Sequence, residues 1–202
     1  SSMLIGVDVD LTLVPTDAAW WNWMEAMYRV NGDFTLPEEH PKNGRLFYDL
    51  GKYFPEPGKH MLKPKDFWED PYLYDRLRPY GHAMDVLKKW VKQGHQIAFI
   101  SMCNKGHQAS KVRFLKRWTQ DFMDLDDHSQ GHGFYATHFK GNINCDVMID
   151  DRNEFFNQFD PAKTILIKMK TPYEQLYELT NPVDCLADDW YDIEDFMDTI
   201  LE

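Results

Sequence analysis

The sequence predicts an α/β fold: a Rossmann-like parallel sheet with helices on both faces and a small, mainly helical cap inserted after the first strand. Three observations carry that expectation. Short, largely apolar runs recur at Met3–Val7, Gln96–Ile100, Cys145–Ile149 and Thr164–Lys168, the composition of strands buried on both faces. Stretches of helical periodicity alternate with the later runs, and such alternation builds a parallel sheet. Between the first two runs lies a segment of different texture, rich in proline and aromatic residues, which reads as an insertion.

Composition bounds the rest. A chain of 202 residues fits one domain, or one domain with an insert, and 43% hydrophobic with 15% aromatic residues is enough for a proper core. The formal net charge of −11 argues against partners such as duplex nucleic acid or an anionic membrane. It leaves room for a small anionic substrate, because a bound divalent cation reverses the local field. The cysteines, Cys103, Cys145 and Cys185, are scattered and odd in number, which fits a reducing compartment better than a disulfide framework. No apolar run approaches a membrane span and no signal peptide precedes the first strand, so a soluble, cytoplasmic protein is expected. The histidines form no zinc pattern.

In chain order, Met3 to Val7 is the first strand and Leu13-Val14-Pro15 turns away from the sheet. Thr16 or Asp17 caps a helix to about Val30, with Trp20, Trp23, Met24 and Met27 on one stripe and Gly32 as its stop. Trp20 and Trp23 are expected in the cap's core, with Trp21 the indole free for an exposed contact. Residues 33–66 read as irregular chain. Residues 15–78 together form the predicted cap over the carboxyl edge of the sheet, and residues 1–14 and 79–202 form the core domain. Ala83, Met84, Leu87, Trp90 and Val91 mark the next helix, which ends at Gly94. A strand over Gln96–Ile100 delivers Ser101. The helix from about Gly106 to Trp118 is basic on one face (Lys111, Arg113, Lys116, Arg117), read as a solvated surface. Strands over Phe134–His138, Cys145–Ile149 and Thr164–Lys168 follow, and Leu186, Trp190, Ile193, Met197 and Ile200 mark a C-terminal amphipathic helix.

Four signals sit at or beside predicted strand ends: Asp8/Asp10, Ser101, Lys140 and Asp150/Asp151. In an open α/β sheet that edge is where ligands bind. Side chains alternate along a strand, so Asp8 and Asp10 share a direction, and two adjacent carboxylates need a cation or proton between them. A carboxylate nucleophile attacking a phosphate meets charge repulsion, which Mg²⁺ on hard oxygen ligands relieves. Ser101 can hydrogen-bond a phosphate oxygen, Lys140 supplies a point charge, and Asp10 can protonate the leaving oxygen and later activate water. Lys105 competes with Lys140 as the site lysine. His138 lies near Lys140, and a structural role is expected for it.

The order of these motifs, Asp8-Val9-Asp10-Leu11-Thr12, then Ser101, Lys140 and Met148-Ile149-Asp150-Asp151, resembles the haloacid dehalogenase superfamily of phosphohydrolases and spans nearly the whole chain. The resemblance implies that Asp8 is phosphorylated and Asp10 is the acid/base. It places Mg²⁺ on Asp8, the backbone carbonyl of Asp10, and an acid of the later pair. Asp10 is the acid carried by the phosphatase branch, which a dehalogenase would lack. A receiver domain of two-component signalling would place its acidic pair first and its phosphoacceptor about fifty residues in, a pattern this chain does not follow. Within the superfamily the nearest likeness is to the 5′(3′)-deoxyribonucleotidases, through Trp68-Glu69, Tyr72-Leu73-Tyr74, Pro79-Tyr80-Gly81 and the ten-residue spacing from Lys140 to Asp150. By that similarity Asp151 is the better metal ligand and Asp150 the second choice. Trp68 would stack on a nucleobase, or else pack the cap's own small core. Thr16 and Met102 depart from that family's pattern, which bears on substrate preference. The resemblance implies a phosphatase for a nucleoside monophosphate, pyrimidine and deoxy. The alternatives are a phosphatase for a sugar phosphate and a catalytically silent relative that binds a nucleotide or protein. A homodimer is compatible with the sequence.

Overall fold

A computed structural model describes residues 1–31, 66–103 and 106–201. Strands β1 (Leu4–Val7), β2 (Gln96–Ser101), β3 (Gly133–Ala136), β4 (Val147–Asp150), β5 (Ile165–Met169) and β6 (Cys185–Ala187) form one sheet in the order β3-β2-β1-β4-β5-β6. Every neighbouring pair is parallel. The chain runs outward in one direction from β1 to β3 and in the other from β4 to β6. The crevice between β1 and β4 is therefore the point where ligands bind in sheets of this kind.

The apolar runs become central strands because both of their faces are covered. Ile5 pairs with Ile97 and Val147, and Val7 with Phe99 and Ile149. These residues share one cluster with α1 (Thr16–Asn31), α3 (Ala83–Lys92), α4 (Gln108–Thr119) and α6 (Trp190–Asp198), through Trp20, Leu87, Phe114 and Trp190. The alternate residues Ala98, Ile100, Met148 and Leu166 face the other way, onto Phe156 of the short α5 (Asn153–Phe156) and onto Phe159. The two faces are thus unequally furnished. Gly6 in β1 suits this packing, since a Cβ there would lie 2.8 Å from Met148 Sδ and that buried side chain would have to shift. No helix among the described residues is long and apolar enough to cross a membrane.

Several expectations need correcting. Leu186 lies in β6, not on the C-terminal helix, which starts at Trp190. That strand is only Cys-Leu-Ala between acidic residues, too brief for a periodic signal. Trp21 is buried and meets Trp20 edge-on at 6.1 Å. The returning chain, through Phe67 and Leu73, joins the cluster that holds α1, so that helix is covered on more than one side. Strands β3 and β4 shift by one or two residues from their expected bounds, as strand ends commonly do. The predicted helix stop at Gly32, most of the irregular stretch and the side chain of Met27 lie outside the described residues. Trp23 is half-buried, 5.7 Å from the Phe67 ring.

Two buried histidines couple this core to pH. His95 Nδ1 accepts the Met3 backbone N–H at 3.0 Å, and His132 Nδ1 accepts that of Ile97 at 3.0 Å. Burial holds both imidazoles below their ordinary range. A ring nitrogen that accepts a backbone hydrogen bond cannot also carry a proton, so the neutral ring favours the folded state. Stability from these rings is complete above the unfolded value of about 6.5 and is lost as pH falls through the lower folded value. The thermal midpoint of wild type is therefore expected to fall faster below about pH 6.5 than that of His132→Asn, whose amide oxygen keeps an acceptor. Parallel slopes in differential scanning calorimetry would contradict this.

Candidate active site

The turn after β1 is built to hold two acids at the sheet edge. Asp8 donates its backbone N–H to Ile149 O at 2.9 Å, which ties the end of β1 to β4. Leu13 and Val14 both donate to Val9 O, at 2.9 and 3.0 Å, and Leu11 donates to Val14 O at 2.8 Å. Leu11 takes a φ of 60°, a left-handed conformation that a branched residue adopts only under constraint. The surroundings supply that constraint: Trp190 Nε1 donates to Thr12 O at 2.9 Å, and Tyr80 N donates to Leu13 O at 2.8 Å. The Asp8 side chain ends 7% exposed and that of Asp10 29% exposed, so Asp10 is the member nearer to solvent.

Around Asp8 the predicted residues converge. Lys140 is almost wholly buried, and its Nζ donates to Asp8 Oδ1 and to Asp150 Oδ2, both at 2.8 Å. Thr12 Oγ1 donates to Asp8 Oδ2 at 3.1 Å and lies 3.2 Å from Asp151 Oδ1. Asp150 Oδ1 accepts the backbone N–H of Asp151 at 2.7 Å, so Asp150 is largely spoken for by Lys140 and the local chain. Two residues with no sequence signal complete the cluster: Tyr173, whose hydroxyl donates to Asp151 Oδ2, and Gln175, whose Nε2 donates to Asp151 O at 2.7 Å. They belong to an irregular crossing after β5, and nothing in their spacing announces a site.

Charge in this cluster is unbalanced. Asp8, Asp150 and Asp151 are buried, with carboxylate oxygens within 4.8 Å of one another, and Lys140 bonds the first two of them. Burial is the largest influence on the Asp8 carboxyl and pushes it up, but the Lys140 charge, the hydrogen bonds with Asp151 and Lys140 and the Lys111 charge together hold the group below its ordinary range. Burial and the Asp8 charge push Asp150 up to about 6 against the pull of Lys140, while burial, Asp8 and Asp150 drive Asp151 well above its ordinary range. Lys140 is held firmly protonated, because the charges of Asp150 and Asp8 exceed the cost of its burial. Buried hard oxygens carrying surplus negative charge fit Mg²⁺.

Asp10 and Ser101 meet a residue that the sequence reading misplaced. Lys111, expected on a solvated face, is 1% exposed; its Nζ donates to Asp10 Oδ2 at 2.8 Å and to Ser101 Oγ at 2.9 Å. The signal was present in the spacing. Lys111 precedes Phe114, Leu115 and Trp118 by three, four and seven residues, so it lies on the apolar stripe of α4. The other basic residues of α4 do face outward: Arg113 pairs with Asp75, and Lys116 with Asp126. Tyr74, in the 3-10 turn Leu73–Arg76, donates its hydroxyl to Asp10 Oδ1 at 2.6 Å. Burial and the Asp10 charge keep that phenol protonated.

The remaining candidates sit apart from these contacts. Trp68, on α2 (Asp66–Glu69), is half-buried and meets Phe67 edge-on at 5.0 Å. Its neighbour Glu69 has its carbonyl oxygen 3.8 Å from where a Cβ on Gly106 would stand, which sets α2 beside the loop that follows Ser101. Thr16 is buried and Met102 half-buried. His138 is exposed, with its backbone carbonyl accepting from Gln158 Nε2 at 3.0 Å. Lys105 lies outside the described residues.

No protein-family model matches the sequence, and no curated protein matches it either. Solved structures do match. A putative haloacid dehalogenase-like hydrolase from Burkholderia xenovorans superposes with a TM-score of 0.57 at 14% identity, over 96% of this chain and 99% of that one. A HAD hydrolase of family IA, variant 3, from Entamoeba histolytica gives 0.55 at 16% identity over 100% of both chains. CbbY from Rhodobacter sphaeroides in complex with phosphate gives 0.54 at 13% identity over 96% of both. With its parallel sheet and strand order, the chain has the fold of the haloacid dehalogenase-like hydrolases.

Proposed function

We propose that the protein is a Mg²⁺-dependent phosphatase that hydrolyses a nucleoside monophosphate through an aspartyl phosphate on Asp8. The observation that carries this reading is the buried Asp8 carboxylate, held ionised against Lys140, with Asp150 and Asp151 beside it and Asp10 at the more exposed side of the same turn. Asp8 attacks phosphorus, its carboxylate oxygen bonding to phosphorus as the ester oxygen departs. Asp10 gives its proton to that oxygen. Water then attacks the aspartyl phosphate, passes a proton to Asp10, and leaves inorganic phosphate and the restored Asp8 carboxylate. Lys140, whose third N–H is free of the two carboxylates it bonds, and Ser101 hold phosphate oxygens. Asp8, the Asp10 backbone carbonyl and Asp151 would hold the metal, with Asp150 the second choice because Lys140 and backbone N–H groups already occupy it. The bound ion supplies charge neutralisation between the nucleophile and the phosphate.

For the substrate, we take a pyrimidine deoxyribonucleoside monophosphate, with Trp68 against the base. The sequence likeness from Trp68 to Gly81 supports this, as does the position of α2 beside the loop after Ser101. A second reading, a sugar phosphate, has its own support: CbbY from Rhodobacter sphaeroides, which shares the fold with a TM-score of 0.52, was also solved with xylulose-1,5-bisphosphate. The deciding experiment is phosphate release from a panel of deoxy- and ribonucleoside monophosphates and sugar phosphates, with and without Mg²⁺. Metal-dependent release selective for dUMP or dTMP is the expected result. Selective release from a sugar phosphate would move Trp68 out of the substrate site, and release from nothing would remove the enzymatic reading. Chelation should silence the enzyme and added Mg²⁺ restore it.

A further inference from the structure

Two buried lysines divide this site. Lys140 serves Asp8 and Asp150, whereas Lys111 reaches neither of those carboxylates by hydrogen bond and instead bonds Asp10 and Ser101. We infer that Lys111 is a positioning residue, fixing the Asp10 carboxylate and the Ser101 hydroxyl in the orientations that proton transfer and phosphate binding require. This rests on the phosphatase reading above.

The geometry supports it in three ways. A buried ammonium is costly unless its N–H groups are engaged, and here the stem runs along the apolar stripe of α4 with Nζ 4.9 Å from the centre of the Tyr74 ring. Second, Asp10 is gripped at both oxygens from different elements, Oδ2 by Lys111 of α4 and Oδ1 by Tyr74. Two donors on separate oxygens set the plane of a carboxyl group as one cannot, and proton delivery to a leaving oxygen depends on that plane. Third, Ser101 Oγ accepts from Lys111, which leaves the hydroxyl hydrogen free to be donated elsewhere. A serine so fixed presents a donor, and a phosphate oxygen is its natural acceptor.

The test compares Lys111→Met with wild type on dUMP and on p-nitrophenyl phosphate, each with Mg²⁺. Departure of p-nitrophenolate needs no proton, whereas departure of a ribose oxygen does. Lys111→Met should lower kcat on dUMP by about 10²-fold with KM within about threefold. Nitrophenolate release in the first turnover should stay within about tenfold of wild type. A rise in KM with kcat kept would make Lys111 a substrate-binding charge, and an equal first-turnover loss on both substrates would make it structural; either overturns the proposal. Because Lys111→Met leaves Asp10 without its cation, a cost to folding, Asp10→Asn is combined with it, which removes both charges. The double variant should lose no more than about tenfold relative to Asp10→Asn alone, the part that Lys111 exerts through Ser101, against about 10²-fold for Lys111→Met in wild type. A further large loss overturns the proposal. If wild type releases phosphate from neither compound, the phosphatase reading itself falls and takes this assignment with it.

Discussion

Asp8→Asn abolishes phosphate release, by at least about 10⁴-fold, while the protein stays folded. The amide matches the carboxylate in shape but is not a nucleophile toward phosphorus, so the covalent step has no route. The fold tolerates the change because the cluster is overcharged to begin with. Lys140 keeps its bond to Asp150, and the repulsion that Asp8 exerts on Asp150 and Asp151 disappears. The thermal midpoint without metal is therefore expected to stay within a few degrees of wild type, although Asp8 loses a favourable pairing with Lys140. A variant that keeps its turnover would contradict the covalent mechanism. A variant that fails to fold would mean that the Asp8–Lys140 pair is a structural keystone.

Lys140→Met has the largest expected effect on stability. It removes the ammonium that bonds both Asp8 and Asp150, and it leaves three carboxylates together in a buried site. Removing one partner of a buried ion pair commonly costs about 3–5 kcal/mol, because it leaves the other charge buried and uncompensated. Methionine preserves most of the stem and removes the Nζ that lies over the Phe155 ring at 4.0 Å, so the loss reports mainly the charge and its contacts. The pH dependence follows from Asp150, already raised to about 6 by burial and by Asp8. A carboxyl whose folded value is raised binds its proton more readily when folded, so its protonation favours the native state as pH falls through about 6. With Lys140 gone that opposing pull is lost and the folded value rises further. The deficit of Lys140→Met should accordingly shrink on acidification, and Mg²⁺ should raise its thermal midpoint more than it raises that of wild type. A deficit that does not vary with pH or metal would mean that Lys140 acts through packing.

Most of the sheet was legible because parallel strands buried on both faces announce themselves as apolar runs, and β1, β2, β4 and β5 lie within a residue or two of those runs. The predicted site residues on strand ends do come together in two connected groups, Asp8 with Lys140, Asp150 and Asp151, and Asp10 with Ser101. Residues far apart in sequence, at the ends of adjacent strands, become neighbours in space once the order of the sheet is set. What escaped were residues whose role depends on tertiary approach. Lys111 was read by its charge as surface, although its place on the apolar stripe pointed inward. Tyr74 and Tyr173 carry a phenol to a carboxylate across 64 and 22 residues of sequence, separations that no local pattern encodes. Trp21 was read from helical spacing alone, which knows one covered face, whereas α1 shares its cluster with Phe67 and Leu73 as well. The three-residue β6 has no periodicity to read.

The claim that Asp8 carries the phosphoryl group is tested most directly by trapping it. Enzyme mixed with radiolabelled phosphomonoester and Mg²⁺ is quenched in acid within the first turnover, and the adduct is reduced with borohydride, which converts an aspartyl phosphate to homoserine. Homoserine at position 8, with label on wild-type protein and none on Asp8→Asn, is the predicted result. Continued turnover with no acid-stable label and an unmodified Asp8 would contradict it and leave direct attack by water as the mechanism.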